Sequence, residues 1–451
     1  MSKTSRKKTA AKTPTRRRKK VELPLQTLRG MRDILPAEQP YWERVRQVFA
    51  KVAAEYGFAR IDTPLVEFED LFVRSVGEKT EVIEKEMYAF VTKGGDRVAL
   101  RPELTAGNAR AFVQHGMSVW PKPIKLFSAG AVYRYDRPQH GRWREHFQGN
   151  FDIYGESDPV LDAQLLQMAK RILDLLGIKN VVFRVNSIGS VASRNAYKRK
   201  LSAYFEKFRR KLPKEMRPLI KENPFRILDS KDEVCAEISA DAPRAGDSLD
   251  DDSRRHFEKL VSYLDELSVP YEIDGGLVRG LDYYTGAVFE IYIRDEAFGK
   301  RYSLGGGGRY DELISSLGGE ETPAIGFGLG MDRLVLEMQR LGVRAAEAPK
   351  PRVFLAQLGE AAKKKSLSLF VELQKAGILT AESFGRGNLR AQLRRAEKAQ
   401  VDVTLIIGQK EALDDTVIVK DMNSGTQETV MREKMIPAVK KILKSKPVVR
   451  R

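Results

Sequence analysis

The sequence predicts an α+β protein: a large domain on an antiparallel sheet, interrupted by a helical insertion and followed by a small α/β domain. Three observations carry that prediction. Between residues 96 and 154 the stretches DRVAL, IKLFSAGAVYRYD and HFQGNFDIYG alternate so that each extended strand has two distinct faces. Residues 190 to 268 turn rich in Lys, Arg, Asp and Glu with helical periodicity, as expected of an inserted helical subdomain. Beyond residue 352, short apolar runs (VFLAQL, VDVTLIIG, DTVIVKD) alternate with helical stretches, the signature of a small α/β domain.

Taken in order, residues 1–20 are a basic tail with ten Lys or Arg and no acid, expected to be disordered. The first part of the large domain spans 21–189. In it Trp42, Val45, Phe49, Val52 and Tyr56 recur at steps of three and four, which predicts an amphipathic helix closed by Gly57. The extended segment FARIDTPLVEF follows, and its Pro64 points to a sheet edge or a bulge. HFQGNFDIYG sets Phe147, Phe151 and Ile153 on one face and Gln148, Asn150, Asp152 and Tyr154 on the other. So polar a face behind an apolar one suggests a lined pocket, although an ordinary solvent-facing strand would read the same. Leu161, Leu165, Met168, Ile172 and Leu176 then mark a helix from about Pro159, ending at Gly177 and covering the sheet. After the insertion at 190–268, the second part of the domain (269–345) returns to strands in YEIDGGLVRGLDYYTGAVFEIYI and to a helix beginning near Gly330. Residues 346–351 are a Pro-containing linker, and 352–451 the small domain.

A chain of 451 residues is too long for one hydrophobic core, and 42% hydrophobic with 31% charged residues is a soluble globular composition. Of the net charge of +18, the tail holds ten positive charges, which leaves about +8 for the rest. Such a tail suits a polyanion such as RNA, or is simply solvated. No stretch approaches the roughly 18 consecutive apolar residues of a membrane span, and no apolar signal core follows the basic start. The single cysteine, Cys235, excludes an internal disulfide, and the four histidines show no metal-ligand spacing. A cytoplasmic protein without a membrane partner is expected.

Three arginines stand beside glycine or strand-end signals: Arg134 in VYRYDRPQHGR, Arg279 in LVRGLDYYTG and Arg333 in GFGLGMDR. The planar guanidinium suits bidentate contact with phosphate and stays charged at any physiological pH, which points to phosphoryl or nucleotidyl chemistry. The loop Asp136–Arg144, DRPQHGRWR, is basic with an aromatic and could reach nucleic acid. GGGGRYDEL lacks both the Lys-Ser/Thr continuation of a phosphate loop and dinucleotide-binding spacing. It reads either as tight packing against a ligand or neighbour, or as a flexible loop.

Together LRPELTAGNARAF, VYRYDRPQHGRWREHFQGNFDIYG, LVRGLDYYTGAVFE, GGGGRYDEL and AIGFGLGMDRLVL resemble, in order, the motifs of histidyl-tRNA synthetases. Tyr41 to Pro64 is similar to class II motif 1, Arg134 with its hairpin to motif 2, and GFGLGMDRLVL to motif 3. LVRGLDYYTG is similar to the segment that sets histidine enzymes apart, and NPFRILDSK in the insertion also resembles the family. The likeness spans about residues 26 to 440. It implies a class II catalytic domain with a helical insertion and an anticodon-binding domain at the C-terminus.

The resemblance also implies roles. Arg134 would contact the ATP α-phosphate and the amino acid's carboxylate, Arg333 the γ-phosphate, and Arg279 the α-phosphate from the opposite side. Mg²⁺ would accompany the ATP, with no motif for its protein ligands. Asp152, Tyr283 and Tyr284 would meet the imidazole of L-histidine, and Glu103 and Thr105, with Leu104 between them, and Gln148 its amino end. Many bacterial members have Gly at the position of Leu104, and the order His146–Phe147 departs from the commoner one. For tRNA(His), candidate contacts are Arg137, Gln139, Arg142 and Arg144 in the hairpin, and Arg386, Arg390, Arg394 and the neighbouring Arg395 in GRGNLRAQLRRAEK. Motif 1 implies a homodimer. The rival implied by the same resemblance is an inactive paralogue serving as a regulatory or RNA-binding subunit. The retained arginines and C-terminal domain count against it.

Overall fold

The alternating segments around residues 124 to 154 form one flank of an eight-stranded sheet. Its order is Ala59–Arg60, Ile124–Tyr133, Glu145–Tyr154, Ala324–Gly330, Ser303–Arg309, Thr285–Ile293, Val181–Ser187 and Tyr271–Ile273. Every pairing between inner strands is antiparallel, and only the two edge strands run parallel to their neighbours. The computed structural model describes residues 25–137, 141–230, 232–294, 303–345, 349–385 and 388–444. The basic tail therefore lies outside the described residues. The chain divides into two compact units, Met1–Ala345 and Ala346–Arg451.

In the first unit the apolar face of the sheet meets the helices that the periodicity predicts. Helix Gln39–Glu55 buries Trp42, Val45, Phe49 and Val52, and helix Pro159–Leu175 buries Leu165, Met168 and Ile172. The second starts on Asp158, whose carboxylate accepts the Val160 amide at 2.9 Å, and gives way to Gly177 at φ +81°. Gly149 faces these helices, and a Cβ there would lie 2.1 Å from the Phe49 ring. Phe127, Phe151 and Phe327 stack across three neighbouring strands at centroid spacings of 4.8 and 5.0 Å.

Pro64 stands between two short strands: Ala59–Arg60 joins the edge of the large sheet, and Val66–Phe68 a separate three-stranded sheet with Tyr88–Val91 and Arg97–Leu100. The region 190–268 is helical, as its periodicity predicts. Its last helix, Asp251–Glu266, packs Leu260 and Leu264 into the same core as the helix Pro159–Leu175. At this junction buried Arg309 pairs with buried Asp162, which also bonds His256 Nε2 at 2.6 Å.

GGGGRYDEL is no loop at its start: Ser303–Arg309 is an interior strand, paired on both sides. Close packing is the reason for the glycines. A Cβ on Gly305 would lie 2.2 Å from the Gly328 carbonyl oxygen, and one on Gly307 2.0 Å from that of Gly326.

The second unit is a five-stranded sheet in the order Thr380–Glu382, Val353–Gln357, Val403–Ile407, Thr416–Asp421 and Gln427–Met431. The first three strands are parallel and the last two antiparallel, with helices Glu360–Lys375, Leu389–Lys398 and Arg432–Lys444 packed on it. Buried Gln392 ties the second of these helices to the sheet: its side-chain oxygen accepts the Gln357 amide at 3.0 Å and its nitrogen donates to the Gln357 carbonyl at 2.7 Å.

Candidate active site

The polar face of Glu145–Tyr154 is buried, which decides between the two sequence readings. Asn150 is 5% exposed, and Asp152 and Tyr154 are fully buried. A cavity of about 330 Å³ opens over this face, and its wall includes Glu103, Thr105, Arg134, Gln148, Arg279, Tyr283, Tyr284 and Arg333. Segments far apart in the chain thus meet at one place.

Each side chain has a local reason for its position. Glu103 precedes the helix Thr105–Gln114 and accepts the Thr105 and Ala106 amides at 2.7 and 2.6 Å, so its carboxylate is fixed by the helix's open N-terminal donors. Burial pushes its pKa up, against those two hydrogen bonds. Arg134 ends the strand Ile124–Tyr133. Its backbone pairs with Arg144 at 2.8 Å, and its Nε donates to the Pro102 carbonyl at 2.9 Å. Arg333 lies in the first turn of helix Met331–Arg340 and donates to the carbonyls of Gly141, at 3.3 Å, and Ser303.

Arg279 is held by Glu290 at 2.5 Å and lies 5.4 Å from the centre of the Tyr284 ring. Burial opposes its charge, but Tyr284 and Glu290 outweigh that and keep its pKa above the ordinary arginine value. Gly306 leaves the space: a Cβ there would sit 2.7 Å from the Arg279 Nη1. The buried Nε of Arg279 has no protein partner. His146, another wall residue, is held neutral, its pKa pushed down to about 3 by burial and by Arg134 and Arg333.

At the other end Tyr283 and Tyr284 lie with ring centroids 4.6 Å apart, and Tyr310 meets Tyr283 edge-on at 5.5 Å. Asp152 stands behind this wall and not in it. Its two oxygens are occupied, one by Tyr310 OH at 2.5 Å and the other by Asn108 Nδ2 at 2.7 Å. Burial raises its pKa to about 7 against those bonds. The Leu104 side chain is buried outside the cavity wall.

The hairpin residues separate. Arg142 joins the wall and pairs with Asp136 at 3.1 Å, Arg137 is exposed, and Arg144 stacks over the exposed Tyr135 ring at 3.6 Å. Gln139 and Arg386 lie outside the described residues. In the second unit Arg390, Arg394 and Arg395 are exposed on helix Leu389–Lys398, with Arg395 held to Ser383 at 2.9 Å.

Sequence reasoning missed Tyr310, Asn108 and Glu290 as partners of the site. Tyr310 follows four glycines, which carry no alternating pattern to show its face. Glu290, two residues from Tyr292 with which it shares a hydrogen bond, reads in sequence as one acid in an apolar strand. That signal, an acid inside AVFEIYI, was legible and pointed inward.

Three fixed cations around one cavity suit a polyphosphate, and a corner of tyrosines over a buried carboxyl suits a small ring with hydrogen-bonding edges. Known proteins agree. The family model for histidyl-tRNA synthetase matches residues 30–334, and that for the anticodon binding domain residues 352–442. A histidine–tRNA ligase of Dehalococcoides mccartyi is 44% identical over 416 residues, covering 92% of this chain and 99% of the relative. That of Pelotomaculum thermopropionicum is 41% identical over 402 residues, 89% of this chain and 94% of the relative. The crystal structure of apo S. aureus histidyl-tRNA synthetase superposes with a TM-score of 0.75 at 30% identity, covering 92% of this chain and 99% of that one. With both domain models matched and a relative 44% identical over 92% of the chain, the chain belongs to the histidyl-tRNA synthetase family.

Proposed function

We propose that the histidine–tRNA ligase reaction of this chain takes place in the cavity between Arg134, Arg279 and Arg333, and that each of these residues acts on a different part of ATP or histidine. The observation that carries this reading is their convergence, from three distant segments, around one cavity that Tyr283, Tyr284 and Tyr310 also line. A carboxylate oxygen of L-histidine forms a bond to the α-phosphorus while the bond to pyrophosphate breaks, and pyrophosphate leaves with the electron pair. Two anions must approach and charge builds on the phosphoryl oxygens, so prearranged guanidinium groups supply much of the stabilisation. Arg134 would bridge the α-phosphate and the carboxylate, Arg279 would bind the α-phosphate from the other side, and Arg333 the γ-phosphate. The acyl group then passes to the terminal ribose of tRNA(His) and AMP is released.

Mg²⁺ would be held mainly by triphosphate oxygens and water. Mg²⁺ bound in that way would neutralise phosphate charge. For the imidazole, Tyr310, whose hydroxyl donates a hydrogen bond to Asp152, lines the cavity and would offer its oxygen as an acceptor. Asp152 would act on histidine through that hydroxyl, and Glu103 and Gln148 would take the amino end. A substrate without ring hydrogen-bonding groups would leave these partners buried and unpaired. Pyrophosphate exchange into ATP should therefore depend on histidine and respond to no other amino acid. Exchange supported by a different amino acid, or absent from folded protein, would overturn the reading.

The hairpin at Arg137 and Arg142 and the exposed Arg390 and Arg394 are the proposed contacts of tRNA(His). A homodimer is supported by the small three-stranded sheet, whose outer strands leave Phe68 63% and Phe90 47% exposed. The protein should sediment at twice its chain mass at micromolar concentration, and a monomer there would refute the dimer. No helix among the described residues is long and apolar enough to cross a membrane, and the lone cysteine suits a reducing cytoplasm.

A further inference from the structure

The segment NPFRILD, residues 223–229 of the insertion, touches the cavity from a direction that the reaction described above does not use. Asp229 belongs to the cavity wall. Arg226 donates to the Lys79 carbonyl at 3.1 Å and to Glu84 at 2.8 Å, on the stretch whose Val82 and Glu86 also line the cavity. Asn223, 7% exposed, reaches the Asp282 carboxylate at 3.5 Å.

Asp282 is the meeting point. It immediately precedes Tyr283 and Tyr284, in a stretch between the strands Tyr271–Ile273 and Thr285–Ile293 that belongs to neither. No ladder pairs this stretch before Thr285, so the anchors on Asp282, side-chain and backbone, help to set where the two tyrosines lie. Arg194, in the first turn of the insertion helix Val191–Lys207, donates through Nη1 to the Asp282 carbonyl at 2.8 Å and through Nη2 to its carboxylate at 3.1 Å. Phe225 lies under the same guanidinium at 5.4 Å. From the catalytic side the Asp282 amide donates to the Val76 carbonyl at 2.9 Å. Gly77, at φ +100°, makes room for the carboxyl: a Cβ there would sit 2.5 Å from its oxygen.

We propose that the insertion sets the histidine end of the cavity, with Arg194 as a positioning residue that acts through Asp282 on Tyr283 and Tyr284. The inference rests on the reading of those tyrosines as the histidine subsite. A bidentate guanidinium contact fixes direction as well as distance, and a lysine can offer only a point charge. Whatever moves the insertion thereby moves the tyrosines, while Arg134 and Arg333 are held by other segments.

The test is steady-state pyrophosphate exchange by Arg194→Ala, Arg194→Lys and the control Tyr284→Ala, each in the full-length protein, with KM measured for histidine and for ATP. A displacement of about 1 Å can cost up to 10²-fold, so Arg194→Ala should raise the histidine KM by at least about 10-fold and leave the ATP KM within about twofold. Arg194→Lys should fall between that and wild type, and it serves as the test should the alanine variant fail to fold. A histidine KM within about twofold of wild type in both variants, even with a lowered melting temperature, would assign Arg194 a purely structural role and overturn the proposal; so would an equal rise in the ATP KM. An unchanged histidine KM in Tyr284→Ala would instead overturn the subsite reading, and the two failures are thereby distinct.

Discussion

Arg279→Ala is expected to slow histidyl-adenylate formation by about 10²–10³-fold, the range for removing one prearranged donor from a developing oxyanion, while the protein stays folded. The guanidinium is sequestered, its buried Nε lacks a protein partner, and Gly306 gives it backbone clearance that any side chain would fill. Such a group is already desolvated before substrate arrives, so its field on the α-phosphate costs little reorganisation. Folding should survive because the partner left behind is not orphaned: Glu290 keeps the Tyr292 hydroxyl as a donor. Arg279→Lys should recover only part of the rate, since an ammonium cannot bridge Glu290 and a phosphoryl oxygen as a planar fork does. Single-turnover adenylation with a circular-dichroism melt decides the matter. A rate near wild type in the alanine variant would remove Arg279 from the reaction.

The second large effect is on folding. Gly307→Ala should abolish the soluble catalytic domain or lower its urea midpoint severely, because the new Cβ would lie 2.0 Å from the Gly326 oxygen and 2.6 Å from the Phe327 Cα. Both obstacles are backbone, and both strands are paired on each side, so neither can swing away. Overpacking costs about 1–3 kcal/mol where side chains can give, and more is expected where only a sheet can. Gly246→Ala is the contrast, with nothing within 4 Å of its Cβ. It should change stability by less than about 0.5 kcal/mol. Equal midpoints for the two variants would show that the strands can part.

The helices and the two faces of Glu145–Tyr154 were legible because periodicity reports burial, and Phe151 and Ile153 are fully buried. The three arginines were legible as chemistry, and the motif order as a family. Distance was not legible. Nothing in the period of HFQGNFDIYG says that Gln148 and Asn150 reach the cavity while Asp152, on the same face, is roofed by Tyr310 and Asn108 from elsewhere in the chain. Nor could pattern separate Arg142, in the wall, from Arg144, turned onto Tyr135, since both stand in one basic loop. The glycine run was ambiguous for the same reason: Gly305 and Gly307 answer to carbonyls of the strand Ala324–Gly330 downstream, and Gly306 and Gly308 to those of the strand Thr285–Ile293 upstream.

The order of strands in the large sheet also sets a timetable for a growing chain. The strand Glu145–Tyr154 pairs on one side with Ile124–Tyr133, which precedes it, and on the other with Ala324–Gly330. That second partner is translated roughly 170 residues later, on the order of 10–30 s at ordinary elongation speed. Until then the nascent protein presents an unpaired edge, backed by Phe151 and by the polar residues of the future cavity. The ribosome-bound half-sheet is thus the stage most open to wrong partners, and the last inner strand, Ala324–Gly330, is the one whose arrival closes it.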